Sequence, residues 1–174
     1  MESQSVSTLA VPLERDVFLR SLVRELSGVL EDVVGLEQAS GFISVVGQNI
    51  GEWINNEYKQ QLNTKQLTVE QVIDVLIDLK ARINGDFYLI SKSENQAVFG
   101  CRTCPFEEKV TDRNSLCMMT SNVFGVITSQ NLGYAKVILE ETIARRNLGC
   151  RVTVYFKSTP ASEEQEGNEY YRSE

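Results

Sequence analysis

The hydrophobic period of the chain changes near residue 86, and this change constrains the fold more than any single motif. Before it, apolar residues recur every three or four positions, as on the buried side of a helix. After it they alternate, as in half-buried strands, until a further helical stretch interrupts them. Helices are expected over about 13–34, 37–62, 68–85 and 114–132. The predicted fold is therefore α+β, with three N-terminal helices followed by an antiparallel sheet of about four strands with one inserted helix.

We expect one sensor-like domain over about 13–157. The chain has 174 residues, which is enough to bury a core without disulfide staples. A flexible N-terminus is expected over 1–12. The stretch 158–174 has five glutamates against one arginine and few apolar residues, so we expect an acidic, disordered tail there.

Composition argues against several classes of protein. A net charge of −7 is unlike the basic surface of a protein that binds nucleic acid directly. No stretch is apolar enough to span a membrane and no secretory signal begins the chain, so a cytoplasmic protein is expected. The chain has no histidine, which removes the usual general base and the Ser-His and Cys-His nucleophile pairs. We therefore expect no enzymatic activity.

Four cysteines form the most informative pattern: Cys101, Cys104, Cys117 and Cys150. The first is expected to close the second strand, and the fourth to open the last one. Cys104 would lie in the loop after the second strand, and Cys117 in the first turn of the next helix. If the last strand lies near the second, all four sulfurs meet at one end of the sheet. Four thiolates with a Cys-x-x-Cys pair are typical ligands of zinc or of an iron–sulfur cluster, and the pattern does not decide between these.

Two other interpretations of these cysteines remain open. Cys101 and Cys104 could form a reversible dithiol, as in a thiol-disulfide oxidoreductase, although the motif follows a strand in a hairpin rather than opening a helix. Alternatively, the cysteines are small core residues, which suits Cys150 better than Cys104.

The second helix contains three glycines, Gly41, Gly47 and Gly51, each of which costs about 0.5–1 kcal/mol relative to alanine. Their clustering indicates either a close approach of another backbone or ligand, or a kinked helix. Phe42, Gly47, Gly51 and Trp53 are candidate residues for binding a small apolar ligand.

The first helix has a wide apolar stripe that includes Phe18, Leu22, Leu26, Val29 and Val33. Such a stripe fits either an ordinary buried helix or the contact surface of a homodimer.

Three segments together resemble a known family: GCRTCPF at 100–106, LCMMTSNVFGVI at 116–127 and CRVTVYF at 150–156. They look like the methanogen output domain family, which is similar in turn to 4-vinyl-reductase-type domains that bind small ligands. The glycine-spaced VVGQNIGEWI at 45–54 also resembles those domains, so the similarity spans about 18–156. The resemblance implies a sensory or output module of a signalling system. The chain shows no kinase, receiver or DNA-binding segment, so its output is expected to pass through a protein partner.

A second resemblance concerns iron. Cys-Pro-Phe followed by an early Leu-Cys in a helix is similar to the C-terminal part of the iron–sulfur repressors of the SUF system. This resemblance implies that Cys104, Cys117 and Cys150 hold a cluster, with Cys101 additional. We therefore expect a stand-alone regulatory domain with a metal site formed by cysteines. The oxidoreductase and a metal-free adaptor protein are the alternatives.

Overall fold

The computed structural model describes residues 10–172, so the prediction for the first nine residues lies outside the described part of the chain. The helices are α1 (Arg15–Val34), α2 (Leu36–Gln61), α3 (Val69–Ala81), α4 (Cys117–Leu132) and the short α5 (Pro160–Glu163). The strands are β1 (Asp86–Lys92), β2 (Gln96–Thr103), β3 (Tyr134–Glu141), β4 (Cys150–Tyr155) and β5 (Asn168–Tyr171).

The strands form one antiparallel sheet in the order β1-β2-β4-β3-β5. The predicted α+β class is confirmed, with five strands where about four were expected. Phe124 of α4 packs edge-on against Phe87 of β1 and Phe99 of β2, with ring centroids 5.7 and 5.6 Å apart. The main core therefore lies between α4 and the sheet, and apolar residues of α3 extend it.

Two local signals set helix boundaries. Gly35 has a φ of 83°, which glycine adopts without strain, and it separates α1 from α2. Thr68 accepts a hydrogen bond from the Gln71 backbone N–H, and the Gln71 side chain accepts one from the Thr68 N–H. This reciprocal capping box begins α3, as the sequence predicts.

The glycines of α2 allow close helix packing. A Cβ atom on Gly47 would lie 2.8 Å from the Cβ of Asn122, and one on Gly51 would lie 3.1 Å from that of Val126. Both neighbours belong to α4. The sequence left open a close approach of another backbone or ligand, or a kinked helix, and for these two glycines the first applies, with α4 as the neighbour. Gly41 has no such neighbour within 4 Å.

The prediction that 158–174 is disordered is wrong for the described part of that segment. Thr159 caps α5, and β5 pairs with β3 along its whole length. The Tyr170 ring lies against Gly125 of α4, where any side chain would collide with it, and the Tyr170 hydroxyl is 2.8 Å from Ser121 Oγ. The acidic composition does not report two contacts that hold this segment: the Tyr170 ring against α4 and the pairing of β5 with β3.

Candidate thiol site

The four cysteines line one small apolar cavity at the end of the sheet. Its volume is about 30 Å³, on the scale of one or two water molecules. The other lining residues are mostly apolar and come from β1, β3, β4, the start of α4 and the loops beside them: Phe87, Phe106, Val110, Leu116, Thr120, Leu139, Thr142, Ile143, Ala144 and Val152.

Strand register and a helix start bring the cysteines together. Cys101 on β2 and Cys150 on β4 are direct partners across the two strands. Cys104 follows β2 in a turn closed by a hydrogen bond of 2.8 Å from the Glu107 N–H to the Cys104 carbonyl. Cys117 is the first residue of α4. We call these four residues and their cavity the thiol site.

The predicted convergence of the cysteines is thus seen, but their role as metal ligands stays a prediction. Across residues 10–172, no group of three or more cysteine or carboxylate side chains is arranged to hold a metal ion. All four cysteines are free thiols.

Cys101 and Cys150 form a coupled pair. A hydrogen bond from the Cys101 thiol lowers the pKa of Cys150 to about 7, and the Ile143 N–H, 3.4 Å from the Cys150 sulfur, and the Lys80 charge act in the same direction. The pKa of Cys101 is raised because its proton is shared with Cys150 and because it is buried. The Cys101 thiol also donates to the Thr103 carbonyl at 3.2 Å, whereas the Cys150 sulfur accepts from the Ile143 N–H, so Cys150 is the member of the pair that ionises more readily.

The other two thiols are protonated at neutral pH. Burial raises the pKa of Cys117 to about 11, and burial also raises that of Cys104. A bound metal ion would deprotonate them, because its charge stabilises a thiolate directly.

Lys80 of α3 is a buried cation beside this site. Its Nζ donates a hydrogen bond of 2.8 Å to Thr120 Oγ1 and lies 5.1 Å from the centroid of the Phe87 ring. Burial lowers its pKa to about 8, whereas the cysteines, Cys104 foremost, act in the opposite direction when they are ionised. Among the described residues Lys80 forms no ion pair with a carboxylate, and the four cysteines are the largest influences that raise its pKa.

Lys80 was not a candidate in the sequence. It lies among the apolar residues at the end of a helix, where a lysine usually faces solvent. Its position four residues after Leu76 and seven after Ile73, on the apolar side of α3, is the sequence signal that could have found it.

The residues predicted to bind a small apolar ligand lie elsewhere. Phe42 and Trp53 are exposed, whereas Gly47 and Gly51 are buried against α4. The structure does not place these four residues around the thiol-site cavity, and their predicted role in binding stays a prediction.

Comparisons with known proteins support the fold. A family model described as methanogen output domain 1 matches residues 22–155. The structure is similar to that of the phenol-responsive sensory domain of the transcription activator PoxR, solved with phenol, with a TM-score of 0.61 at 16% identity over 83% of this chain and 76% of that one.

It is also similar to a trafficking protein particle complex subunit 3 from Naegleria fowleri, covalently bound to palmitic acid. That TM-score is 0.58 at 10% identity, over 91% of this chain and 98% of that one. No curated protein matches the sequence significantly. At these identities the two structures show a shared fold. Within residues 10–172, no helix combines the length and apolar character needed to cross a membrane.

Proposed function

Because the chain belongs to the methanogen output domain 1 family, as its sequence segments predicted, we propose that it is a regulatory sensory domain. Its input is a metal ion held by thiolates at the thiol site, and its output passes to a protein partner. Cys101, Cys104, Cys117 and Cys150 are the ligands. The likeness to a phenol-responsive sensory domain supports a sensory role.

The observation that carries the proposal is a buried ammonium group beside four cysteines, which pairs with no carboxylate of residues 10–172. An isolated buried charge is costly, so a lysine at such a position needs a negative partner. Four thiolates around a divalent cation carry a net charge of −2, which Lys80 offsets in part. The site therefore favours an occupant that keeps the cysteine sulfurs of this chain negatively charged.

The size of the cavity selects the kind of occupant. The two similar structures are of proteins with phenol and with palmitic acid. A space of about 30 Å³ holds an ion but neither an aromatic ring nor an acyl chain. Zinc fits this volume better than an iron–sulfur cluster, which is larger than a single ion.

The loop between Cys104 and Cys117 connects the site to α1. Arg24 of α1 donates hydrogen bonds of 2.6 and 2.8 Å to the carbonyls of Lys109 and Thr111 in that loop. Drawing Cys104 and Cys117 toward an ion moves both ends of the loop. The signal would then reach α1 through these two hydrogen bonds.

Metal analysis tests the proposal. Protein purified without added metal should contain about one zinc ion per chain, with four thiolate ligands. Cys117→Ser should lose most of that metal, whereas the neighbouring Met118→Ser, which lies outside the cavity lining, should keep it. Metal-free wild-type protein from both aerobic and anaerobic purification would contradict the proposal, and so would full metal content in Cys117→Ser. A brown protein that contains iron and sulfide would show that the site holds an iron–sulfur cluster instead of zinc.

A redox function is the second candidate, and the pairing of Cys101 with Cys150 favours it. The lowered pKa of Cys150 lets its thiolate attack glutathione disulfide and release one glutathione, after which Cys101 displaces the second glutathione and closes a Cys101–Cys150 disulfide. The oxidoreductase considered from the sequence used Cys101 and Cys104 instead. Mass spectrometry of the metal-free protein after mild oxidation should find a Cys101–Cys150 disulfide, and a Cys101–Cys104 disulfide would contradict this assignment.

A further inference from the structure

We propose that the outward faces of α1 and α2 are the interface of a homodimer, with a second copy of this chain as the occupant. This inference goes beyond the proposed sensory function and does not depend on the metal. It starts from the orientation of α1, whose apolar stripe faces away from the rest of the chain.

The inward side of α1 has Val23 packed against a small apolar cluster and is otherwise polar, held by specific hydrogen bonds. Arg20 pairs with Glu107 at 2.8 Å, Arg24 binds two loop carbonyls, and Glu31 accepts a hydrogen bond from the Ser115 hydroxyl. Turning the apolar stripe inward would break these contacts and leave the loop carbonyls without donors. The ordinary buried helix is therefore wrong as an interpretation of the stripe.

The outward side of α1 has the spacing of a coiled-coil seam. Its members are three and four positions apart in alternation and are 42–75% exposed: Leu19, Leu22, Leu26, Val29 and Val33. We call these five residues the α1 seam. Apolar residues at such a heptad spacing pack against a second helix with the same repeat.

Exposed apolar side chains continue on α2, at Leu36, Phe42, Val45, Val46 and Trp53. Summed over both helices, these exposed side chains offer on the order of 1,000 Å² of surface. A stable protein–protein interface buries about 800 Å² per partner. The two outward faces therefore supply the area that a dimer needs.

Charge next to the seam favours a second copy over a membrane. Glu25 and Asp32 are exposed and flank the α1 seam, whereas helices that lie on membranes carry lysine and arginine there. In an antiparallel helix pair these two carboxylates would face each other. In a parallel pair Glu25 would face Leu30 of the second copy, so the heptad positions favour the parallel arrangement.

Sedimentation of the full chain tests this proposal. Wild-type protein should have twice the monomer mass of 19.6 kDa at concentrations of about 1–100 µM. Leu26→Asp places a carboxylate in the middle of the seam in both copies, so the dimer dissociation constant should rise on the order of 100-fold or more. Leu148→Asp is the matched control, because Leu148 is fully exposed in the loop between β3 and β4, and it should stay dimeric.

Circular dichroism shows whether each variant is folded. If Leu26→Asp unfolds, Val33→Asp is tested in its place. Val33 is 75% exposed in the monomer, so a carboxylate there should leave the monomer folded. A wild-type monomer over the whole concentration range would overturn the proposal. So would folded Leu26→Asp or Val33→Asp that remains as dimeric as the control, or a monomer that binds vesicles of anionic lipid through this face.

Discussion

Replacing Lys80 with methionine should have opposite effects on the metal-free fold and on the thiol site. Methionine has a similar length and no charge, so it fills the same space between Phe87, Phe124 and Thr120. In the metal-free chain the substitution removes a buried cation that lacks a carboxylate partner. In the metal-bound chain it removes the charge that offsets the thiolates.

The magnitude follows from the pKa of Lys80. Lowering this pKa from 10.5 to about 8 corresponds to a cost of about 3 kcal/mol for the charged form in the folded state. The lost hydrogen bond to Thr120 offsets about 1 kcal/mol of that. Lys80→Met should therefore be more stable than wild type by about 2 kcal/mol at pH 7, without metal and with the thiols reduced.

The pH dependence has a definite sign. Above pH 8 the folded chain releases the Lys80 proton, whereas the unfolded chain keeps it up to about pH 10.5. The unfolded state holds the Lys80 proton in this window, so Lys80 by itself contributes a stability gain of about 3 kcal/mol as the pH rises through it, whereas the raised pKa values of Cys101, Cys104 and Cys117 act with the opposite sign above pH 9.0. Cys150 adds a gain of the same sign between its lowered pKa of about 7 and its ordinary value of 9.0, and it depends in part on Lys80.

Urea unfolding measures both quantities. A stabilisation of about 2 kcal/mol corresponds to a rise of about 1 M in the urea midpoint, given a slope of about 2 kcal/mol/M. The excess stability of Lys80→Met over wild type should shrink by about 3 kcal/mol between pH 8 and 10.5, whereas Lys65→Met, at an exposed lysine, should follow the wild-type profile. The reasoning is refuted if Lys80→Met is less stable than wild type at pH 7, or if the two pH profiles run parallel.

Two further predictions concern the C-terminal segment and the thiols. Gly125→Val should displace the Tyr170 ring and lower the melting temperature. Gly41→Ala, with open space around it, should instead stabilise the chain by about 0.5–1 kcal/mol. Equal melting temperatures of Gly125→Val and wild type would contradict the packing of Tyr170 on α4. In metal-free protein, iodoacetamide should modify Cys150 before Cys117, with a rate that rises around pH 7, as followed by peptide mass spectrometry. Faster modification of Cys117 would show that the charge does not reside on Cys150.

Local patterns were sufficient to predict most of the fold. The helical and alternating periods located α1 to α4 and both hairpins, because apolar residues recur along each of these elements with the spacing of its own secondary structure. The strand order was not predictable in this way, and neither was β5. β5 depends on Tyr170 meeting a glycine that lies 45 positions earlier in the chain.

The thiol site was predictable in part. The strand pattern placed Cys101 at the end of the second strand and Cys150 at the start of the last one. Whether they meet depended on the strand order, which pairs them directly. The role of Lys80 depends on how α3 sits over the end of the sheet, which no local pattern reports. Likewise the apolar stripe of α1 was visible, but not its direction, since the contacts that orient α1 join Arg20 to a residue 87 positions away.

The central claim is that sulfur atoms of this chain hold a metal ion at the end of the sheet. X-ray absorption at the metal edge of the purified wild-type protein tests it most directly. The account predicts about four sulfur neighbours at about 2.3 Å from a zinc ion. A first shell of oxygen or nitrogen alone, or a protein with no bound metal, would contradict it.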